Sequence, residues 1–138
     1  MKEKHLGQLI SILYRHGNSF LDRELKHYDL GRGQFLFLAV LLKKDNVTQE
    51  LLSTLLRVDK ATTTRAINKL EKKGYVQRRN HPEDKRMNII SLTQKGQALK
   101  PVIEKISQDW IKIVTQGLTE EEISQLYKFL KIMARNAC

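Results

Sequence analysis

Residues 48–92, TQELLSTLLRVDKATTTRAINKLEKKGYVQRRNHPEDKRMNIISL, decide the fold. Thr48 is a good N-cap, Gln49 and Glu50 suit a first turn, and Leu51, Leu52, Leu55 and Leu56 follow as the apolar side of a short helix, the third in the chain. Arg57-Val58-Asp59 interrupts it. Asp59 then caps a fourth helix running from Lys60 to about Lys73, which Gly74 stops in the C′ position. Two helices meeting across a three-residue turn suit a helix-turn-helix. Tyr75 to Asn80 and Met87 to Leu92 are short runs with β-branched and aromatic residues, separated by the turn formers His81-Pro82-Glu83-Asp84. A β-hairpin placed directly after the second helix makes the unit a winged helix.

Working outward, apolar residues recur at helical spacing from Leu6 through Leu9, Ile10, Leu13, Gly17, Phe20, Leu21, Leu25 and Tyr28, predicting a long first helix. The Leu30-Gly31-Arg32-Gly33 stretch ends it, and Gln34 to Leu42 predicts a second helix that is apolar nearly all round and therefore central. Lys43 to Asn46 reads as a solvated turn. Downstream, Thr93 caps a fifth helix carrying Leu99, Val102, Ile103, Ile106, Trp110, Ile113 and Val114, which Pro101 in its interior should bend. Thr119-Glu120-Glu121-Glu122 is a capping box opening a sixth. The expected fold is mostly α, with six helices and a β-hairpin wing. A winged-helix core of roughly 60 residues is too small to cover the apolar stripes of helices one, five and six, and patches of that kind mark association. A two-fold homodimer is the simplest arrangement, with residues 1–29 and 97–138 as dimerisation helices and residues 30–96 as the DNA-binding region.

The 138 residues fit one domain of ordinary size, and 41% apolar with 29% charged residues describes a folded chain. The net charge of +10 needs a reason, and its placement supplies one. Residues 57–86 hold 10 basic and 4 acidic side chains, whereas residues 1–56 hold 8 and 6 and residues 87–138 hold 7 and 5. A basic excess centred on the helix-turn-helix and hairpin suggests double-stranded DNA, for which paired recognition helices about 34 Å apart would suit a two-fold operator. The longest apolar run, Phe35 to Leu42, is too short to span a bilayer, and the charged N-terminus precedes no signal-like stretch. The lone cysteine, Cys138, has no partner in its own chain, so a cytoplasmic, nucleoid-associated protein is expected.

At 100° per residue, Thr63, Ala66, Ile67 and Leu70 form the core side of the fourth helix. Ala61, Thr64, Arg65, Asn68 and Lys72 lie opposite, with Thr62 and Lys69 on a flank. An outward face that is small near its N-terminus and otherwise rich in donors suits a major groove. Arg65 matches a guanine edge, Asn68 an adenine edge, and the threonines phosphates or thymine methyls. The DNA-contacting set on this helix is Lys60, Ala61, Thr62, Thr64, Arg65, Asn68 and Lys69. On the wing, Arg86 suits a narrow minor groove, and Asp84, two residues earlier, would point to the same side of the strand and orient it. Arg78 and Arg79 are expected to hold the hairpin or touch phosphate.

Five motifs then stand in order: Val47-Thr48-Gln49-Glu50-Leu51, Val58 to Arg65, Leu70-Glu71-Lys72-Lys73-Gly74-Tyr75-Val76, Pro82-Glu83-Asp84-Lys85-Arg86, and Leu92-Thr93-Gln94-Lys95-Gly96. Together they resemble the multiple-antibiotic-resistance regulator (MarR) family of winged-helix transcription factors. The resemblance implies a homodimer on a pseudo-palindromic operator, usually a repressor, with Asp84 and Arg86 as the wing signature. It also implies release of DNA by a small phenolic or other aromatic anion, bound in a crevice that should open near Tyr14, Arg15 and His16 on the first helix. Gly31 replaces the family's polar cap before Gln34-Phe35, and Tyr75 and Leu52 stand where smaller or aliphatic residues are common.

Other classes fit less well. The sequence has no internal cysteine, nucleophile motif or glycine-rich phosphate loop, so no enzyme and no cofactor are expected. His5, His16 and His27 align along one helix but lie about 16 Å apart per step, too far for one metal ion. Family members that sense peroxides use a first-helix cysteine, absent here. The alternative within DNA binding is a non-specific or architectural winged-helix protein without an effector.

Overall fold

The structure, a computed structural model, describes residues 5–138 and divides the chain into two compact units, Met1–Ile106 and Ser107–Cys138. The first holds α1 (Leu6–Leu25), α2 (Arg32–Lys43), β1 (Val47–Thr48), α3 (Gln49–Leu56), α4 (Lys60–Lys72), β2 (Val76–Asn80), β3 (Asn88–Leu92) and the one-turn α5 (Gln94–Gln97). α6 (Lys100–Val114) runs from the first unit into the second, which also contains α7 (Glu120–Ala137).

The helix boundaries follow the side chains that cap them. Thr48 Oγ1 accepts from Leu51 N at 3.1 Å at the start of α3, and Asp59 Oδ1 accepts from Thr62 N at 2.6 Å at the start of α4. Thr119 and Glu122 exchange bonds of 3.1 and 2.9 Å to open α7 as the predicted capping box. At α2 the cap is inverted: Gly31 has no side chain to offer, and the buried Gln34 reaches back to accept from Gly31 N at 2.8 Å. α4 stops where Gly74 takes φ +82, a conformation that disfavours any residue with a Cβ.

Four expectations need correction. The fifth helix is not one bent rod. It breaks at Ala98–Leu99 into α5 and α6, and Pro101 occupies the first turn of α6, where its missing N–H has no intrahelical acceptor to lose. The first helix ends at Leu25, and Lys26–Tyr28 continue as a single 3-10 turn closed by Asp29 at φ 52. The sheet has three strands in the order β1-β3-β2, because Val47 and Thr48 pair antiparallel with Ile90 and Ile89. The Lys43–Asn46 turn is not merely solvated, since Asp45 Oδ1 accepts from Leu92 N at 2.9 Å and ties the end of β3 to the start of β1.

The core of the first unit sits between α2, α3, α4 and the sheet. Leu25, Leu38, Leu41, Leu52, Ile67, Leu70 and Ile90 are fully enclosed, and Phe35, Phe37, Val47, Val76, Ile103 and Ile106 surround them. α2 is central but not apolar to the same end all round, as Leu36 is half in solvent, and on α3 the outward leucine is Leu55. Tyr75 fills the space beside Gly74: its ring lies 4.6 Å from the Lys95 ammonium, and its hydroxyl donates to Tyr28 O at 3.3 Å. Lys95 Nζ in turn donates to Lys73 O at 2.7 Å.

Outside this core the apolar stripes end in solvent. On α1, Phe20 and Leu25 are buried, whereas Leu6, Leu9, Ile10, Leu13 and Tyr14 are exposed. On α7, Leu126, Tyr127, Phe129, Leu130 and Ile132 are exposed, and no residue of that helix is buried.

α5 packs against β3 because Gly96 has no side chain. A Cβ there would stand 2.1 Å from Tyr75 O, a backbone atom fixed by the bond it accepts from Thr93 N. Gly96→Ala is therefore expected to lower stability by about 2–3 kcal/mol, read as a reduced urea midpoint at unchanged slope.

Candidate nucleic-acid interface

α4 buries the four predicted positions, Thr63, Ala66, Ile67 and Leu70. A buried hydroxyl needs partners, and Thr63 Oγ1 has two: it donates to Asp59 O at 3.1 Å and lies 2.7 Å from Ser53 Oγ of α3. That contact, with Leu52 beneath it, locks the two helices of the helix-turn-helix. The turn between them is closed by Arg57 at φ 54, whose N–H meets Thr54 O at 3.2 Å.

On the opposite face Lys60, Ala61, Arg65, Asn68 and Lys69 are exposed, and Thr62 and Thr64 are half-buried. Hydrogen bonds already engage part of this face. Thr64 Oγ1 donates to Lys60 O at 2.9 Å and accepts from Gln49 Nε2 of α3 at 2.7 Å. Arg65 Nη2 donates to Thr62 Oγ1 at 3.3 Å, and Asn68 Oδ1 accepts from Arg78 Nη2 of β2 at 2.7 Å. Gln49 is not among the site residues the sequence points to, and Arg78 is expected from it only to hold the hairpin or touch phosphate. For Arg78 the signal was present: the two-residue period of β2 puts it on the same inward side as Val76.

The hairpin pairs Val76 with Leu92 through Asn80 with Asn88. Asp84 and Arg86 sit in the connecting turn and not on a strand, so their pairing has a different cause from strand alternation. Asp84 Oδ1 accepts from Arg86 N at 3.0 Å, an Asx-type turn, and from Arg86 Nε at 3.2 Å. The Arg86 side chain remains 91% exposed, projecting from the turn with its orientation set at the root. A depression of about 60 Å³ lined by Thr48, Gln49, Glu50, Ser53, Lys60, Arg86 and Asn88 brings the start of α4 and the wing together. The sequence separates Lys60 from Arg86 by a helix and a strand; the fold places them on one surface.

The MarR family model matches residues 30–87, from the approach to α2 through the wing turn. The chain is 31% identical to the multiple antibiotic resistance protein MarR of Escherichia coli strain K12, over 91% of this chain and 88% of that protein. The chain belongs to the MarR family. The crystal structure of a MarR transcriptional regulator from Methanosarcina mazei Go1 is similar with a TM-score of 0.89 and 37% identity, covering 97% of this chain and 96% of that one. A mutant MarR of Escherichia coli crystallised with operator DNA is similar with a TM-score of 0.79 and 30% identity, over 93% and 92% of the two chains. As a MarR-family protein it is a DNA-binding transcriptional regulator with a winged-helix fold, not an enzyme.

In this MarR-family chain Tyr14, Arg15 and His16 are all exposed on α1. Three consecutive helical positions span about 200° of the circumference, so the protomer does not gather them onto one wall. Among the described residues no set of three or more His, Cys, Asp and Glu side chains could hold a metal ion, and no helix is long and apolar enough to cross a membrane.

The Arg86 backbone N–H, reinforced by the Arg86 side chain, holds the Asp84 carboxyl below the usual carboxylate range. A depressed carboxylate contributes stability that is complete above its unfolded pKa and is lost as pH falls through the folded value. The Asp84 brace on the wing should therefore persist from neutral pH down to about 4 and fail only below it. A carboxyl-carbon NMR titration is expected to place the Asp84 midpoint below the reference value of about 3.9; a midpoint at or above that value contradicts the brace.

Proposed function

We propose that the protein is a homodimeric repressor that reads a pseudo-palindromic operator and acts on the nucleoid in the cytoplasm. In each protomer α4 enters a major groove, presenting Lys60, Ala61, Thr62, Thr64, Arg65, Asn68 and Lys69, while Arg86, steadied by Asp84, enters the adjacent minor groove. The observation that carries this is the junction of Lys60 at the head of α4 and Arg86 on the wing around one depression, on a chain whose family is DNA-binding. The basic excess of residues 57–86 lies in these same elements.

Dimerisation through residues 1–29 and 97–138 is supported by the exposed apolar side chains of α1 and α7, more than a lone protomer in water would leave uncovered. The effector, a small aromatic anion near Tyr14, Arg15 and His16, rests on the family resemblance.

Fragment selection by purified protein tests the operator. Arg65→Ala should relax preference at one base step and cost about 1–3 kcal/mol, while Lys69→Ala should weaken every sequence alike and reduce the salt slope by about 1. Unchanged operator affinity in Arg86→Ala would remove the wing from the interface. Recovery of a random, steeply salt-sensitive fragment set would favour the architectural alternative. Sedimentation equilibrium should give twice the 16.1 kDa protomer mass, and aromatic acids should compete with operator DNA.

A further inference from the structure

We infer that Arg78 and Asn68 together set one position of the operator preference: Arg78 fixes the Asn68 amide so that its NH2 edge is the one turned to a base, a role that rests on the major-groove placement of α4 proposed above. The sequence suggested that Asn68 would grip adenine with both amide atoms, its oxygen accepting from N6 and its nitrogen donating to N7. In the structure that oxygen already accepts from a cation, which occupies one of its two lone pairs and disfavours a second donor beside it.

Arg78 Nη2 lies 2.7 Å from Asn68 Oδ1. A guanidinium carries only donors, so the amide atom facing it must be the oxygen; chemistry, not the assignment of two similar atoms, fixes the orientation. Arg78 is itself constrained. It stands opposite Ile90 in the hairpin and is half-buried on the side that Val76 shares. Its Nε is withdrawn from water and has no hydrogen-bond partner, so packing against the hairpin root holds the group and Asn68 takes its outer nitrogen. A cation on the oxygen also polarises the amide, making the remaining N–H a stronger donor and the oxygen a poorer acceptor.

One turn earlier the same happens to Thr64. Its hydroxyl proton goes to Lys60 O and its oxygen receives Gln49, leaving the methyl as the group not yet engaged. Among the outward residues of α4, Arg65, Asn68 and Lys69 then offer donors, and the base that Asn68 faces should be one that presents an acceptor in the major groove: guanine, thymine or, through N7 alone, adenine, in preference to cytosine. Arg78 is a positioning residue in this arrangement, and Asn68 the residue that determines specificity.

The test uses the intact protein and randomised duplexes. Asn68→Ala locates the base pair whose preference is lost. At that position the wild type should favour guanine or thymine over cytosine by about tenfold, of the order expected for one good base contact. Arg78→Met, which keeps the apolar stem, should reduce that ratio to about threefold or less while preferences at neighbouring positions and the melting temperature stay the same; Arg78→Lys, which restores a donor, should recover part of it. Asn68→Asp keeps its partner in Arg78 but offers an acceptor, so it should shift preference towards cytosine, and this variant decides the matter if Arg78→Met fails to fold. Retention of the wild-type ratio in folded Arg78→Met overturns the positioning role, as does a wild-type requirement for the 6-amino group of adenine, shown by loss of affinity on substituting purine. If Asn68→Ala changes preference nowhere, the Asn68 role is overturned, and the major-groove placement of α4 falls with it only if Arg65→Ala is equally silent.

Discussion

The contact between α3 and α4 is the constraint on which the rest of the first unit depends. It combines apolar burial at Leu52, Ala66 and Ile67 with a satisfied hydroxyl pair at Ser53 and Thr63. Apolar packing alone would hold the helices together while tolerating small rotations of one against the other. The hydroxyl pair restricts that freedom, because rotation would give up the Ser53–Thr63 bond, a net contribution of about 0.5–1.5 kcal/mol, even though each hydroxyl keeps a carbonyl partner in its own helix. With α4 held in this way, the identity of its outward residues is settled. Gly74 then directs the chain into the hairpin, and the wing has a defined position relative to that face.

The second support is the three-stranded sheet. A two-stranded hairpin is marginal in water, and the short pairing of Val47 and Thr48 with β3 gives it a third strand. Asp45 fastens that strand to the far end of β3. The consequence reaches the surface: the wing turn extends from a sheet anchored to the core, and the Asp84 brace extends that rigidity to the backbone from which Arg86 projects.

Local chemistry made much of this legible. Thr48, Asp59, Thr93 and Thr119 are short polar side chains before helical runs, and each caps its helix as the sequence implied, because capping depends on residues three apart in the chain. The inner face of α4 was legible for the same reason, since helical periodicity is a property of the segment. The break before Pro101 reads in the sequence as a bend because the spacing of apolar residues continues across Ala98–Leu99, where the ladder tightens to a bond from Leu99 N to Gly96 O and Pro101 has no N–H to donate. β1 went unseen because two residues carry no period.

Sequence by itself determined which residues cap, which face of α4 is inward, and where the positive charge accumulates, all of which are fixed within a few residues of chain. Tertiary structure alone decided what the outward side chains have left to offer. Gln49 is 15 residues from Thr64 and Arg78 is 10 from Asn68, and no local rule joins them. Their bonds form because α3 and β2 pack on either side of α4, and an oxygen already held by a donor inside the protein has less to offer a base.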